Sequence, residues 1–431
     1  MPTVAATNTR TATSPSDGSD YAGALAMVTI LFFFWGFVTV LNDILVPHLK
    51  NIFDLSYTKV MLIQFAFFSA YFIFSLPAAK LIDTIGYKRT MVTGLVTMGV
   101  GAFLFIPAAS APSYPLFLGA LMVLAAGITA LQVAANPYVA VLGKPETASS
   151  RLNLTQAFNS LGTAIGPYIG GLLILHARAQ DIPADSQMTA QALQAYRVQE
   201  ASSVKLPYLV IGAALILFAV IIGMFKLPAM PGARLTESAS KASLWKYRHL
   251  VLGVVGIFVY VGAEVSIGSF LINYLTQANI GNLTELMASK YVAYYWGGAM
   301  VGRFIGSAIL QKFRTGGVLG IAALVASLLV CISMLTFGQV AMWSILLVGF
   351  FNSIMFPSIF TLGIAELGPL TGEGSGVLVM AIVGGAILPV AQGALADQFG
   401  IHHAFILPVL CYLYIAYYAF RGSRPVLPAT S

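Results

Sequence analysis

Pro137-Tyr-Val-Ala-Val-Leu-Gly-Lys-Pro-Glu146 returns later in the chain as Pro357-Ser-Ile-Phe-Thr-Leu-Gly-Ile-Ala-Glu366. Proline, leucine, glycine and glutamate recur at one constant offset, 137 to 357. The same offset carries Asp43 to position 263, next to Glu264. The two decapeptides close the fourth and tenth of twelve apolar runs, which cover about 22–46, 59–82, 90–110, 116–142, 152–176, 207–226, 249–275, 288–311, 317–337, 341–366, 375–396 and 403–421. A helix needs roughly 20 mostly apolar residues to cross the hydrocarbon of a bilayer. The pattern therefore predicts an all-α polytopic membrane protein, with twelve transmembrane helices arranged as two pseudo-symmetric six-helix bundles.

Composition agrees. The chain has 431 residues, of which 58% are hydrophobic and 9% charged, against roughly 25% charged in a soluble domain. A net charge of +7 fits the Lys and Arg that gather on cytoplasmic loops, and does not require nucleic acid. With the N-terminus inside, fourteen basic residues fall on the inner segments and six on the outer ones. Both termini are thus expected in the cytoplasm. The expected organisation is a polar tail (1–20), a first bundle (21–226), a cytoplasmic loop (227–248), a second bundle (249–421) and a short tail (422–431). The stretch 177–206 forms an outer loop. Residues 1–20 lack the basic start and apolar core of a signal peptide. Cys331 and Cys411 sit in apolar runs and suggest no disulfide framework. His402 and His403 read as interfacial.

Two carboxylates break the apolar pattern. Asp43 ends the run from Ile30, and Glu264 lies near the middle of the seventh span. A charge at mid-membrane costs about 2.5–3.5 kcal/mol on insertion scales, so it calls for a partner, a watery cavity or an ion. Asp43 fits either an interfacial acid or a coupling carboxylate. Asn42 beside it and Pro47 beyond suggest a helix end with free carbonyls. Glu264 fits either a buried hydrogen-bonded acid or a carboxylate that changes protonation. Both are candidates for proton coupling, and a sodium ion at either is the alternative.

Gln132 and Asn136 are four apart and share a helix face; Gln156 and Asn159 lie on the next span. Amides both donate and accept, as a neutral polyol requires, though amides also tie membrane helices together. Asn273 and Asn352 are second-half candidates, and Tyr260 and Trp296 could stack on a sugar ring. Arg303 is the one base well inside a span, expected to latch an inner-end acid such as Glu366. Asp83, Arg89, Glu146 and Arg151 are expected to make charge contacts that hold the cytoplasmic side shut. A phosphate or carboxylate substrate would call for further fixed cations, so a neutral substrate fits better.

Ala79-Lys-Leu-Ile-Asp83-Thr-Ile-Gly86-Tyr-Lys88-Arg89 resembles the helix 2–3 signature of the major facilitator superfamily. Leu41-Asn-Asp43-Ile-Leu-Val-Pro47, Ala134-Ala-Asn136-Pro137 and Leu152-Asn-Leu-Thr-Gln156-Ala-Phe-Asn159-Ser-Leu-Gly162 resemble its fucose permease branch, and within it the bacterial glucose/galactose transporters. The resemblance implies the major facilitator fold and places Gln156 and Asn159 toward the cavity. It also implies an acid on helix 4, where this chain has Gln132, and an amide where it has Glu264. The acid reads as moved from helix 4 to helix 7. Phe356 replaces an aromatic hydroxyl of that branch. No phosphate loop, metal cluster or nucleophile elbow occurs in the sequence, so neither enzymatic activity nor a cofactor is expected. The resulting expectation is a symporter, acting as a monomer in the lipid bilayer, that imports a neutral monosaccharide with a proton. Sodium coupling, an uncoupled facilitator and a membrane sugar sensor are the alternatives.

Overall fold

The computed structural model describes residues 18–53, 57–110, 113–170, 204–228 and 243–425, apart from the side chains of 18–20, 41–62 and 167–170. The outer loop expected at 177–206, most of the loop at 227–248 and most of both tails lie outside the described residues.

The chain is a succession of helices, with no strand among the described residues. Helix α1 is Gly18–Phe53. Tyr57–Ser110 is one helical stretch broken at Gly86, giving α2 (57–85) and α3 (87–110). Then come α4 (Tyr114–Val141), α5 (Ala148–Gly170) and α6 (Lys205–Met224). The second half holds α7 (Arg248–Leu275), α8 (Glu285–Ile309) and α9 (Thr315–Leu335). Its α10 runs Gly338–Asn352 and then Met355–Gly363. Its α11 runs Thr371–Met380 and Gly384–Phe399, joined by a tight turn at Ala381–Val383. Its α12 is Ile401–Ala404 followed by Ile406–Tyr417.

Among the described residues, nine helices are long and apolar enough to cross a membrane. One of them spans 48 residues and makes two passes about Gly86. Helices α5 and α8 complete the twelve. They fall short of an apolar criterion because α5 carries Arg151, Asn153, Gln156 and Asn159, and α8 carries Glu285, Lys290 and Arg303. Those polar groups matter below.

Gly86 turns the chain with φ 81° and ψ 167°, a region that residues with a Cβ avoid. Gly400 repeats this geometry, φ 81° and ψ 154°, between α11 and α12. Its surroundings Gly393…Asp397…Gly400…His402-His403 repeat the spacing Ala79…Asp83…Gly86…Lys88-Arg89. Since α11 begins beside Asp83 and runs away from it, the two turns sit at opposite ends of the molecule. Of the two histidines expected to be interfacial, His403 is exposed. His402 is buried, with its ring stacked on Phe337 at 5.1 Å.

Within each half, the first and fifth helices cross with backbones in contact. A Cβ at Gly162 would run into the Phe33 carbonyl, and one at Gly384 into that of Phe258. Small residues of this kind let membrane helices approach closely. Between halves, α2 packs on α11 and α5 on α8. Among the described residues, most hydrogen bonds that cross between halves involve a small hydroxyl. Ser149 Oγ and Thr361 Oγ1 are 2.5 Å apart, and Thr315 Oγ1 donates to Ser149 Oγ at 3.0 Å. Ser150 Oγ donates to the Ser307 carbonyl at 2.7 Å, and Ser307 Oγ donates back to that of Ser150 at 3.0 Å. These contacts close the molecule at the end that carries Lys88, Lys144 and Lys312, called the basic end below.

Candidate functional site

The repeated prolines act four residues upstream. In a helix the carbonyl of residue i accepts from the N–H of residue i+4, and proline has no N–H. Pro137 therefore frees the Val133 carbonyl, and Pro357 frees that of Ser353. Ser375 Oγ on α11 donates to Val133 O at 2.8 Å, across the two halves. Arg303 Nε on α8 donates to Ser353 O at 3.3 Å. Helix α10 is broken at 353–354, which turns this carbonyl outward. Arg303 also donates from its terminal guanidinium nitrogen to Ser160 Oγ on α5. Asn153 Nδ2 donates to the Arg303 carbonyl at 2.7 Å. Arg303 thus ties α8 to α10 in its own half and to α5 in the other.

A cavity of about 140 Å³ lies between the halves, walled by Trp35, Gln132, Gln156, Tyr260, Val261, Glu264, Arg303, Phe356 and Ile382. Trp35, Gln132 and Gln156 come from α1, α4 and α5; the rest come from the second half. A larger cavity of about 590 Å³ between α8, α9 and α10 has nearly all-apolar walls. The small one holds the chemistry. Tyr260 Oη donates to Glu264 Oε1 at 2.7 Å, one helical turn along α7. Gln132 Nε2 donates to Tyr71 Oη at 2.8 Å. The cavity offers a carboxylate, a guanidinium, two amides and three aromatic rings.

Five of the expected residues therefore line one space: Gln132, Gln156, Tyr260, Glu264 and Arg303. The others stand around it. Asn136 is fully buried one turn below Gln132, and both its amide atoms lack a partner among the described residues. Asn159 Nδ2 donates to Phe32 O at 2.9 Å, joining α5 to α1. Asn352 Nδ2 donates to Tyr295 Oη at 2.8 Å, and Tyr295 and Tyr412 lie within electrostatic range of Glu264. Asn273 is exposed. Trp296 is 45% exposed and lies against Gly268. Asn42 and Asp43 fall on α1, but their side chains lie outside the described residues.

The structure differs from the expected charge latches. Arg303 lines the cavity with Glu264, while Glu366 is exposed at the end of α10 with φ 57°. Arg151 caps α4: its guanidinium donates to the carbonyls of Val139 (3.3 Å), Ala140 (2.8 Å) and Lys144 (2.8 Å). Those of Val139 and Ala140 are orphan carbonyls that the helix end leaves, and a cation there also suits the helix dipole. Glu146 acts on Arg151 only through its charge. Asp83 sits beside Gly372, and the charge that acts on it is that of Glu373, another acid. Arg89 is exposed, whereas Lys88 Nζ donates to Gly223 O at 2.8 Å. Among the described residues, the contacts that hold the basic end involve hydroxyls rather than ion pairs.

Sequence reasoning missed Tyr71, Ser160, Ser353 and Tyr412. Ser353 was within reach, since it lies four residues before Pro357. The others give no signal in one sequence, because aromatic and hydroxyl side chains are frequent on all the spans.

Residues 25–382 match the family model described as the Major Facilitator Superfamily. The chain is 54% identical to a glucose/galactose transporter of Brucella abortus (biovar 1, strain 9-941), over 98% of this chain and 100% of that protein. It is 38% identical to the L-fucose-proton symporter of Escherichia coli K12, over 93% of each chain. A crystal structure of the transporter FucP in the outward conformation superposes with a TM-score of 0.87 at 36% identity, covering 93% of this chain and 98% of that one.

Proposed function

Because the chain belongs to the Major Facilitator Superfamily, we propose that it imports a neutral hexose of the glucose/galactose type together with a proton, by alternating access. The observation that carries this reading is the cavity between the halves, where amides, aromatic rings and Glu264 face one another. Gln132 and Gln156 exchange hydrogen bonds with sugar hydroxyls, while Trp35, Tyr260 and Phe356 pack on the ring's C–H faces. Asn136 and Asn159 complete the polar wall as the halves move, with Asn42, Asn273, Trp296 and Asn352 along the approach. The relatives' printed substrates, glucose, galactose and L-fucose, support a neutral sugar.

Glu264 is the coupling carboxylate in the second half and Asp43 its counterpart in the first. Closing apolar walls around an unpaired charge is costly, so a proton on Glu264 eases closure. Arg303 supplies the fixed positive charge that Glu264 faces when it is ionised. With the basic end shut, the site communicates with the other side. The basic end is cytoplasmic in this reading, in a bacterial inner membrane, and the inside-negative potential adds about 2.3 kcal/mol per charge per 100 mV.

The test uses purified protein in liposomes with labelled galactose or glucose. A pH jump, acid outside, drives accumulation, whereas a sodium jump at constant pH does not. Glu264→Gln loses the accumulation yet still exchanges labelled for unlabelled sugar. Accumulation driven by sodium alone, or full pH-driven uptake by the variant, would overturn proton coupling through Glu264.

A further inference from the structure

The cavity of about 590 Å³ in the second half shares no lining residue with the sugar cavity: its walls carry none of Glu264, Tyr260 or Arg303. Its walls are α8, α9 and the break in α10, including Gly302, Gly306, Ile321, Phe350 and Ile354. Glycines on α8 open it, and Ile321 at its rim is 62% exposed. In a membrane that rim faces hydrocarbon. Away from Arg314 and Ser353 these walls offer no polar groups to order water, so the length of the groove suits hydrocarbon.

The groove is apolar along its length and basic at one end. Arg314 lines it at the start of α9, and Lys312 precedes it in the same turn. Both are exposed. From Arg314 to Ala322 the groove follows α9 for about 12 Å, the scale of an acyl chain running from the headgroup level toward mid-membrane. Basic pockets between membrane helices suit lipid headgroups that carry a negative charge.

We infer that this groove binds one anionic phospholipid, with an acyl chain between α8, α9 and α10 and its phosphate at Arg314 and Lys312. The floor of the groove includes Ser353 and Ile354. Ser353 is the residue whose carbonyl holds Arg303. An acyl chain there supports the broken segment of α10 from behind, on the side away from the sugar cavity. The lipid is a structural ligand of the wall that positions Arg303.

The experiment strips the purified protein of lipid, adds back dioleoylphosphatidylglycerol or dioleoylphosphatidylcholine, and counts bound lipid by native mass spectrometry. Wild-type protein retains the anionic lipid about 25-fold more than the zwitterionic one, the factor expected from two basic residues at the membrane surface. Arg314→Gln lowers that preference about fivefold, and Arg314→Gln combined with Lys312→Gln brings the two lipids level. Gly317→Phe places a ring in the groove at a position where a Cβ meets nothing within 4 Å, and lowers retention of both lipids. Equal retention of the two lipids by wild-type protein, or an unchanged preference in Arg314→Gln, overturns the inference. Lipid counting needs neither sugar nor a proton gradient, so it stands or falls apart from the transport reading.

Discussion

Pro357 does its work through what it withholds. Without an N–H it leaves the Ser353 carbonyl for Arg303 Nε, 3.3 Å away, and so sets the guanidinium in the cavity wall opposite Glu264. Pro357→Ala returns a donor to that carbonyl, and alanine is about 3 kcal/mol more favourable than proline inside a helix. The variant is therefore expected to melt no lower than wild type while its sugar uptake falls several-fold. Parallel melting curves and initial uptake rates check this. A loss of both stability and uptake would mean that the break in α10 supports the fold rather than Arg303. Arg303→Lys makes a complementary test. Lysine carries the charge but lacks the planar fork that reaches two acceptors at once, so uptake falls although the charge remains.

At the level of the elements, the α2–α11 seam brings two acids together. Burial and the Glu373 charge push the Asp83 carboxyl, in the turn beyond the apolar part of α2, from an ordinary 3.8 up to about 6. The raised value belongs to the closed seam; once the seam opens, Asp83 meets water and returns toward its ordinary range. Below about 4 the carboxyl is protonated in both forms and favours neither. Between about 4 and 6 only the closed form holds the proton, so closure loses ground as pH rises. Above about 6 both forms are ionised and the full cost remains. Acid therefore favours the closed basic end. Spin labels across the seam are expected to report a closed fraction that falls as pH rises from about 4 to 7, and Asp83→Asn is expected to hold it at the acid value throughout. A wild-type fraction that does not move with pH would remove Asp83 from the seam's energetics.

The same seam shows where a single sequence stops. The twelve spans were legible because hydrocarbon demands a long apolar run for every crossing, and the repeat was legible because Pro137 and Pro357 must recur to free the same carbonyl in each half. Gln132, Gln156 and Glu264 stood out as polar groups in apolar runs, and these residues do line the cavity. Asp83 and Arg151 were visible as charges, but not their neighbours. Depth along a helix says nothing of azimuth, so Asp83 was expected beside a base and lies near Glu373. Arg151 was expected in a charge contact between helices and instead caps α4. Tyr71, which takes the Gln132 amide, is one of 19 tyrosines, and nothing in the sequence separates it from those facing lipid.

For the whole molecule, the relevant balance is between two arrangements of rigid halves, and small contacts at one end decide it. Ser150 and Ser307 exchange hydrogen bonds across the α5–α8 seam, at 2.7 and 3.0 Å. Both residues are buried there, and opening the basic end gives these bonds up to water. Each neutral hydrogen bond is worth about 0.5–1.5 kcal/mol net, and 1.4 kcal/mol is a factor of ten in a population. Ser150→Ala combined with Ser307→Ala removes both donors, leaves no unpaired hydroxyl and keeps good helix formers in α5 and α8. The closed-to-open ratio is expected to fall by about five- to a hundredfold, with the fold of each half unchanged. Distances between labels on Lys144 and Lys312, each replaced by cysteine, measure the ratio directly, and sugar counterflow shows whether the cycle still turns. The double variant shifting no further than either single one would show that the reciprocal pair acts as a unit, whereas a ratio equal to wild type would place the hold on the basic end elsewhere, in the Ser149–Thr361 contact or the carbonyl that Pro137 frees for Ser375.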